Sequence, residues 1–147
     1  MLKTQLTHPQ ILEGLARAGH GSKVLIADGN YPSATTLGAN ARLVHLNLAP
    51  GTVSATDVLD ALITAIPIEA AAVMETQKTG PYAMTEDPEI WGEFSKALEA
   101  SGQSGALERV ERFEFYERAA RPDVSLTIAT GEQRIYANLL LTIGVVQ

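Results

Sequence analysis

Four groups of polar side chains in this chain have the types and settings that proton transfer or polyol binding requires. His20 lies between Gly19 and Gly21. Imidazole exchanges protons near neutrality, and the flanking glycines permit tight turns and close backbone approach, which makes His20 the best acid/base candidate. Asp28 heads the turn-rich run Asp28-Gly29-Asn30-Tyr31-Pro32, where a carboxylate can accept hydrogen bonds from hydroxyl groups while the loop shapes a pocket wall. Arg112-Phe-Glu-Phe-Tyr-Glu-Arg118 concentrates rings and guanidinium groups in a chain with only 5% aromatic residues. Arginine forks onto oxygen atoms, and an aromatic face packs on the apolar face of a sugar. Tyr136-Ala137-Asn138 offers a phenol and a carboxamide, donors and acceptors suited to a neutral polyol.

Each group also has a plain structural use, and the pattern alone leaves both open. His20 can terminate a helix and meet its last carbonyls. Asp28 can form an Asx-turn or cap, and Glu114 with Arg118 can be an exposed i,i+4 pair worth only about 0.3 to 0.5 kcal/mol. Tyr136 and Asn138 can be the polar tips of a half-buried strand entry.

The elements that must hold these residues follow from periodicity and turn signals. Thr7-His8-Pro9-Gln10 reads as a helix start with a Thr cap, followed by Ile11, Leu12, Leu15 and Ala18 on one face and ended by Gly19. Lys23 to Ala27 reads as a buried strand that delivers Asp28 to its end, and Leu43 to Leu48 as a second strand. Ser54 and Asp57 resemble a capping box before a helix carrying Val58, Leu59, Leu62, Ile63 and Ile66. The apolar run Ala70 to Met74 follows. Asp87-Pro88-Glu89 opens a helix with Ile90, Trp91, Phe94, Ala97 and Leu98 inward. Arg109 to Ala119 satisfies both periods and is read as a short helix; Val124 to Ala129 and Leu139 to Val146 read as strands. Helices alternating with short apolar strands predict one compact α/β domain over residues 1–147, with a largely parallel central sheet flanked by helices. Ligands of such sheets sit beyond the carboxyl ends of the strands, which draws attention to residues 19–32 and whatever faces them.

Composition removes several function classes. There is no cysteine, hence no disulfide, thiolate nucleophile or sulfur-rich zinc site. Seventeen acidic against eleven basic residues give a net charge of -6, which repels a phosphate backbone. The three histidines lack metal-ligand spacing, no glycine run matches a phosphate loop, and no Gly-x-Ser-x-Gly surrounds Ser22. No cofactor, metal or nucleic acid is expected, and without a signal-like or spanning apolar stretch the expected setting is soluble and cytoplasmic.

In order and spacing, Gly19-His20-Gly21, Asp28-Gly-Asn-Tyr-Pro32, Arg112 to Ala119, Thr130-Gly-Glu132, Tyr136-Ala-Asn-Leu-Leu-Leu141 and Gly144-Val145 together resemble the fucose mutarotase branch of the ribose pyranase family, nearly end to end. The resemblance implies a ring-like homo-oligomer, a decamer, with sites near subunit boundaries. It implies a cofactor-independent isomerase that interconverts the anomers of a free aldose, L-fucose or a similar sugar, by opening and reclosing the ring. His20 would be the general acid/base, Asp28 and Arg112 would bind sugar hydroxyls, Tyr136 and Asn138 would hold the substrate, and Tyr116 would form a pocket wall. The alternatives are a pyranase that interchanges pyranose and furanose forms and a non-catalytic sugar-binding accessory to uptake.

Overall fold

The computed structural model describes residues 1–147. Four helices, α1 (Pro9–Arg17), α2 (Ala55–Leu62), α3 (Glu89–Ala100) and α4 (Arg112–Ala119), flank one six-stranded sheet. Its strands are β1 (Lys23–Ala27), β2 (Arg42–His45), β3 (Ile68–Met74), β4 (Leu107–Val110), β5 (Val124–Ala129) and β6 (Leu139–Ile143), ordered β2-β5-β1-β6-β3-β4.

The core strands show why the apolar runs are strands. Val24, Leu25, Ile26 and Ala27 of β1 are all buried, as are Val124, Leu126 and Ile128 of β5, because helices cover both faces of the sheet's centre. Helix α1 lies against β5 and β2 through Ile11 and Leu15, with Gly14 close enough to Leu126 that a Cβ would stand 3.1 Å from its Cδ1. Its cap is His8, not Thr7: the His8 Nδ1 accepts from the Ile11 amide at 3.4 Å, and Pro9 takes the first helical position, where no amide is needed. The Ser54 and Asp57 capping box forms as expected. Helix α3 buries Ile90, Trp91, Phe94 and Leu98. The ambiguous segment is indeed a helix from Arg112, burying Phe115 and Ala119.

Further expectations shift, beginning with α2, which ends at Leu62 and leaves Ile63 and Ile66 beyond the helix. The second strand ends at His45 rather than Leu48, and the last ends at Ile143 rather than Val146. Strand β4 was not foreseen: it is an edge strand whose Glu108 and Arg109 face solvent and whose only buried residue is Val110, so it carries no apolar run. Five strands run in one direction, and β6 runs against both neighbours, β1 and β3. The reason is chain length. Parallel return needs a crossover of a dozen or more residues, and only Thr130 to Asn138 separate β5 from β6, so the chain turns back at the edge it has reached.

That short connection passes across the carboxyl end of β1, the strand lying between β5 and β6, and is tightly fixed there. The Gly29 amide donates to the Glu132 carbonyl at 2.8 Å, and the Thr130 hydroxyl donates to the Ala27 carbonyl at 2.7 Å. Gly131 sits so close to the carbonyl oxygens of Thr52 and Ala49 that no side chain fits. The buried Glu132 carboxylate accepts from the Ala55 amide at the start of α2 and from the Arg134 guanidinium, whose other arm reaches Glu93 of α3 at 2.7 Å. Arg134 therefore holds the Glu132 carboxyl well below its ordinary range, at about 2.

Two consequences are measurable. Gly131→Ala forces the connection away from Thr52 and should lower unfolding stability by roughly 1–3 kcal/mol or more in denaturant titration; unchanged stability would contradict this packing. Because the folded-state value of Glu132 is depressed, its contribution is complete above the ordinary carboxylate range and is lost as pH falls toward about 2. Glu132→Gln should therefore cost on the order of 2 kcal/mol at pH 7, with the gap from wild type closing on acidification through that window.

Candidate functional site

The carboxyl edge of the sheet carries a cleft of about 310 Å³. Four parts of the chain build it. The end of β1 and the following turn supply Asp28, Asn30 and Tyr31. The end of β3 and its continuation supply Met74, Gln77 and Tyr82. Helix α4 supplies Arg112 and Tyr116. The approach to β6 supplies Ile135, Tyr136 and Asn138. The reversed direction of β6 is what brings its entry residues to the edge where the parallel strands leave.

At the floor, Asp28 and Asn138 hold each other. The Asp28 amide donates to the Asn138 Oδ1 at 2.8 Å, and the Asn138 Nδ2 donates to the Asp28 Oδ2 at 3.0 Å. The Ala137 amide adds a donor to Oδ2 at 3.3 Å, and the Asn30 amide donates to Oδ1 at 2.9 Å. Both side chains are only 4% exposed. Burial pushes the Asp28 carboxyl above its ordinary range, and the donors from Asn30, Ala137 and Asn138 oppose that shift. Asn138 spends both of its polar atoms on Asp28, so it acts on the cleft by fixing that carboxylate.

Tyr136 has φ 59°, a left-handed backbone that a non-glycine residue adopts at a cost of about 1–3 kcal/mol. It is held there from three sides. Its carbonyl accepts from the Trp91 indole at 2.9 Å, its hydroxyl accepts from the Gln77 amide at 3.1 Å, and the same hydroxyl donates to the Tyr82 carbonyl at 3.0 Å. Tyr136 thus ties the segment after β3 to the cleft and presents its ring to it.

The walls are aromatic and the free charge is positive. The rings of Tyr31 and Tyr116 stand 5.5 Å apart, and Tyr31 meets the buried Phe115 edge-on at 6.5 Å. Burial raises the Tyr31 phenol to about 12, so it stays neutral. Arg118 is committed to Glu114 and Glu108, as the i,i+4 spacing anticipated for Glu114. Arg112 instead lies 5.8 Å from the Tyr116 ring and 5.9 Å from the Phe113 ring, with no carboxylate partner, and its guanidinium is available to a ligand. A buried acceptor, a free guanidinium and apolar ring faces suit a small neutral polyol.

His20 stands apart from this cleft. It precedes β1, whereas Asp28 follows it, and the five residues of β1 at about 3.3 Å each put the two roughly 16 Å apart. At the amino edge of the sheet its Nε2 lies 3.0 Å from Oε2 of Glu69 in β3, with 59% of the imidazole side chain exposed. Gly21, at φ 80°, turns the chain there and donates to the Ile143 carbonyl at the end of β6. Of the residues singled out in the sequence, five meet in one cleft and His20 does not. No sequence pattern singled out Met74, Gln77, Tyr82 or Ile135 for the cleft, nor Glu69, which reaches His20 only through the pairing of β3 and β1 with β6.

No helix is long and apolar enough to cross a membrane. Residues 1–146 match the RbsD / FucU transport protein family. Human fucose mutarotase is 32% identical over 145 residues, covering 95% of this chain and 90% of its own length. The zebrafish (Danio rerio) fucose mutarotase is 32% identical over 142 residues, covering 94% and 88% respectively. Among solved structures, the Streptococcus pneumoniae fucose mutarotase in complex with L-fucose superposes with a TM-score of 0.80 at 28% identity, covering 95% of this chain and 94% of that one. Bacillus subtilis RbsD complexed with D-ribose superposes with 0.74 at 26% identity over the whole of both chains. The match of fold and sequence along nearly the whole length, shared with sugar-bound relatives, shows that this chain belongs to the RbsD / FucU transport protein family.

Proposed function

We propose that this protein is a mutarotase for free L-fucose or a closely similar aldose, and that His20 reaches the sugar from a second copy of the chain. The observation that carries the reading is the cleft itself: Asp28 locked by Asn138, with Arg112 free and tyrosine rings on either side, in a chain whose curated relatives are fucose mutarotases. Asp28 accepts from sugar hydroxyls, Arg112 donates to them, and Tyr116 with Tyr31 covers an apolar face of the ring.

The reaction moves two protons and no net electrons. A base removes the proton of the anomeric hydroxyl while the bond from C1 to the ring oxygen breaks and that oxygen gains a proton. The resulting aldehyde rotates about C1–C2 and is attacked on its other face by the same hydroxyl, reversing the transfers. With the His20 Nε2–H donating to Glu69, Nδ1 keeps the lone pair that serves as base. Attack by a different hydroxyl would give the furanose, so positioning separates mutarotase from pyranase action.

Apolar surface supports the shared site. Val145 and Val146 are 53% and 88% exposed, directly after Gly144, where a Cβ would stand 3.3 Å from that of Glu69 beside His20. Tyr82, Phe113 and Ile135 are exposed around the cleft at the opposite edge. Joining one edge to the other is a heterologous contact, which closes into a ring when the rotation permits. The separation of His20 from the cleft within one chain favours a second reading: an isolated chain would be a sugar binder without an acid/base.

Magnetisation exchange between α and β anomer resonances should be accelerated by catalytic amounts of protein for L-fucose above ribose, galactose or glucose; no acceleration for any of them would overturn the enzyme reading. His20→Ala should lower exchange by about 10²- to 10⁴-fold while sugar still binds. His20→Ala and Asp28→Ala, inactive separately, should regain about a quarter of wild-type exchange when co-refolded at equal amounts, because one random site in four receives both intact groups. No recovery despite mixed assembly, or a monomer by light scattering, would refute a site shared between copies.

A further inference from the structure

The geometry points to Gln77 as a specificity-determining residue, its carboxamide selecting among sugars by the hydroxyls it meets in the cleft. The inference rests on the reading of the cleft as a sugar site.

Gln77 differs from its neighbours in having a fixed backbone and an uncommitted side chain. Its amide donates to the Tyr136 hydroxyl at 3.1 Å, and its carbonyl accepts from the Met84 amide at 3.0 Å. The adjacent polar side chains pair among themselves: the Lys78 ammonium donates to the Thr76 hydroxyl at 2.7 Å, and that hydroxyl donates to Glu75 at 3.2 Å. Gln77 alone of this run lines the cleft, half-buried, and its carboxamide makes no hydrogen bond within the chain. The Tyr136 backbone conformation, held against its own cost, therefore places the Gln77 anchor at the cleft wall.

The chemistry of the three uncommitted or partly committed groups is complementary. Ionised Asp28 only accepts and Arg112 only donates, so each tolerates any hydroxyl that rotates to suit it. A carboxamide carries a donor and an acceptor at fixed relative positions, and it distinguishes a ligand that offers oxygens at both from one that lacks an oxygen or places it on the other face of the ring. Gln77 also approaches from the β3 side, whereas Arg112 approaches from α4, so the two read different parts of the sugar. Tyr136, whose hydroxyl is shared between Gln77 and Tyr82, acts here as a positioning residue.

The test compares wild type with Gln77→Leu, an apolar side chain of similar length that leaves the backbone anchors intact. Dissociation constants are measured by calorimetry or ligand-observed NMR for L-fucose, its single-position deoxy analogues, D-ribose and D-glucose. The expected result is roughly tenfold weaker binding of the preferred sugar, corresponding to one lost hydrogen bond, with less than about twofold change for at least one deoxy analogue. That analogue identifies the hydroxyl read. The thermal midpoint should be unchanged, since no internal hydrogen bond is removed. Equal weakening for every sugar would mean a packing effect and would overturn the proposal, as would unchanged affinities throughout. Wild type that binds none of these sugars would instead bring down the sugar-site reading itself, a result read before any variant is compared.

Discussion

The reciprocal hydrogen bonds between Asp28 and Asn138 hold the candidate site together, because they join the end of β1 to the start of β6 where both residues are buried. A carboxylate there is costly unless donors surround it. Asn138 can supply one only because β6 enters the sheet at the edge where β1 leaves it. The direction of that strand is in turn fixed by the short connection from β5, which Gly131, Glu132 and Arg134 clamp against the rest of the fold. Sheet topology, the clamp and the placement of the carboxylate are thus one chain of dependence. The strained Tyr136 sits at its tightest point, held by Trp91, Gln77 and Tyr82.

Under the proposed function, recognition and proton transfer are divided between the two edges of one sheet. The carboxyl edge has the cleft, with its acceptor, guanidinium and rings, and the amino edge has His20 beside Glu69. Under the proposed function the chemistry is complete only when two copies meet, so assembly and activity are coupled by geometry rather than by a regulatory signal. The exposed valines at one edge and exposed rings at the other supply apolar surface for that meeting.

Electrostatics at the cleft are local. The chain is acidic overall, yet most of its arginines are paired with carboxylates on the surface, Arg109 with Asp87 and Arg118 with Glu108 and Glu114 among them. Such exposed pairs contribute little stability, but they occupy charge that would otherwise compete. Arg112 is left free against the Tyr116 ring. A neutral sugar needs no long-range steering, only directed hydrogen bonds in a partly desolvated pocket.

Much of the fold was legible in the sequence because local signals and burial agreed: the β1 and β5 apolar runs, the Ser54 capping box and the α3 face each occupy the positions their periodicity assigned. The chemistry-bearing residues were also legible by type, and Asp28, Arg112, Tyr116, Tyr136 and Asn138 do converge. Other features were decided by tertiary structure. β4 is a four-residue edge strand whose two central residues, Glu108 and Arg109, face solvent, so its sequence carries little signal. The reversal of β6 follows from how strands order in the sheet, which period and propensity do not encode. Gln77, Tyr82 and Glu69 enter the picture through contacts across 49 or more positions of the chain, the separation over which Glu69 finds His20. Sequence by itself determined which side chains can accept, donate or carry a proton, since that is a property of residue type. Tertiary structure alone decided that His20 and the cleft lie at opposite ends of β1, because distance depends on how the whole chain is packed.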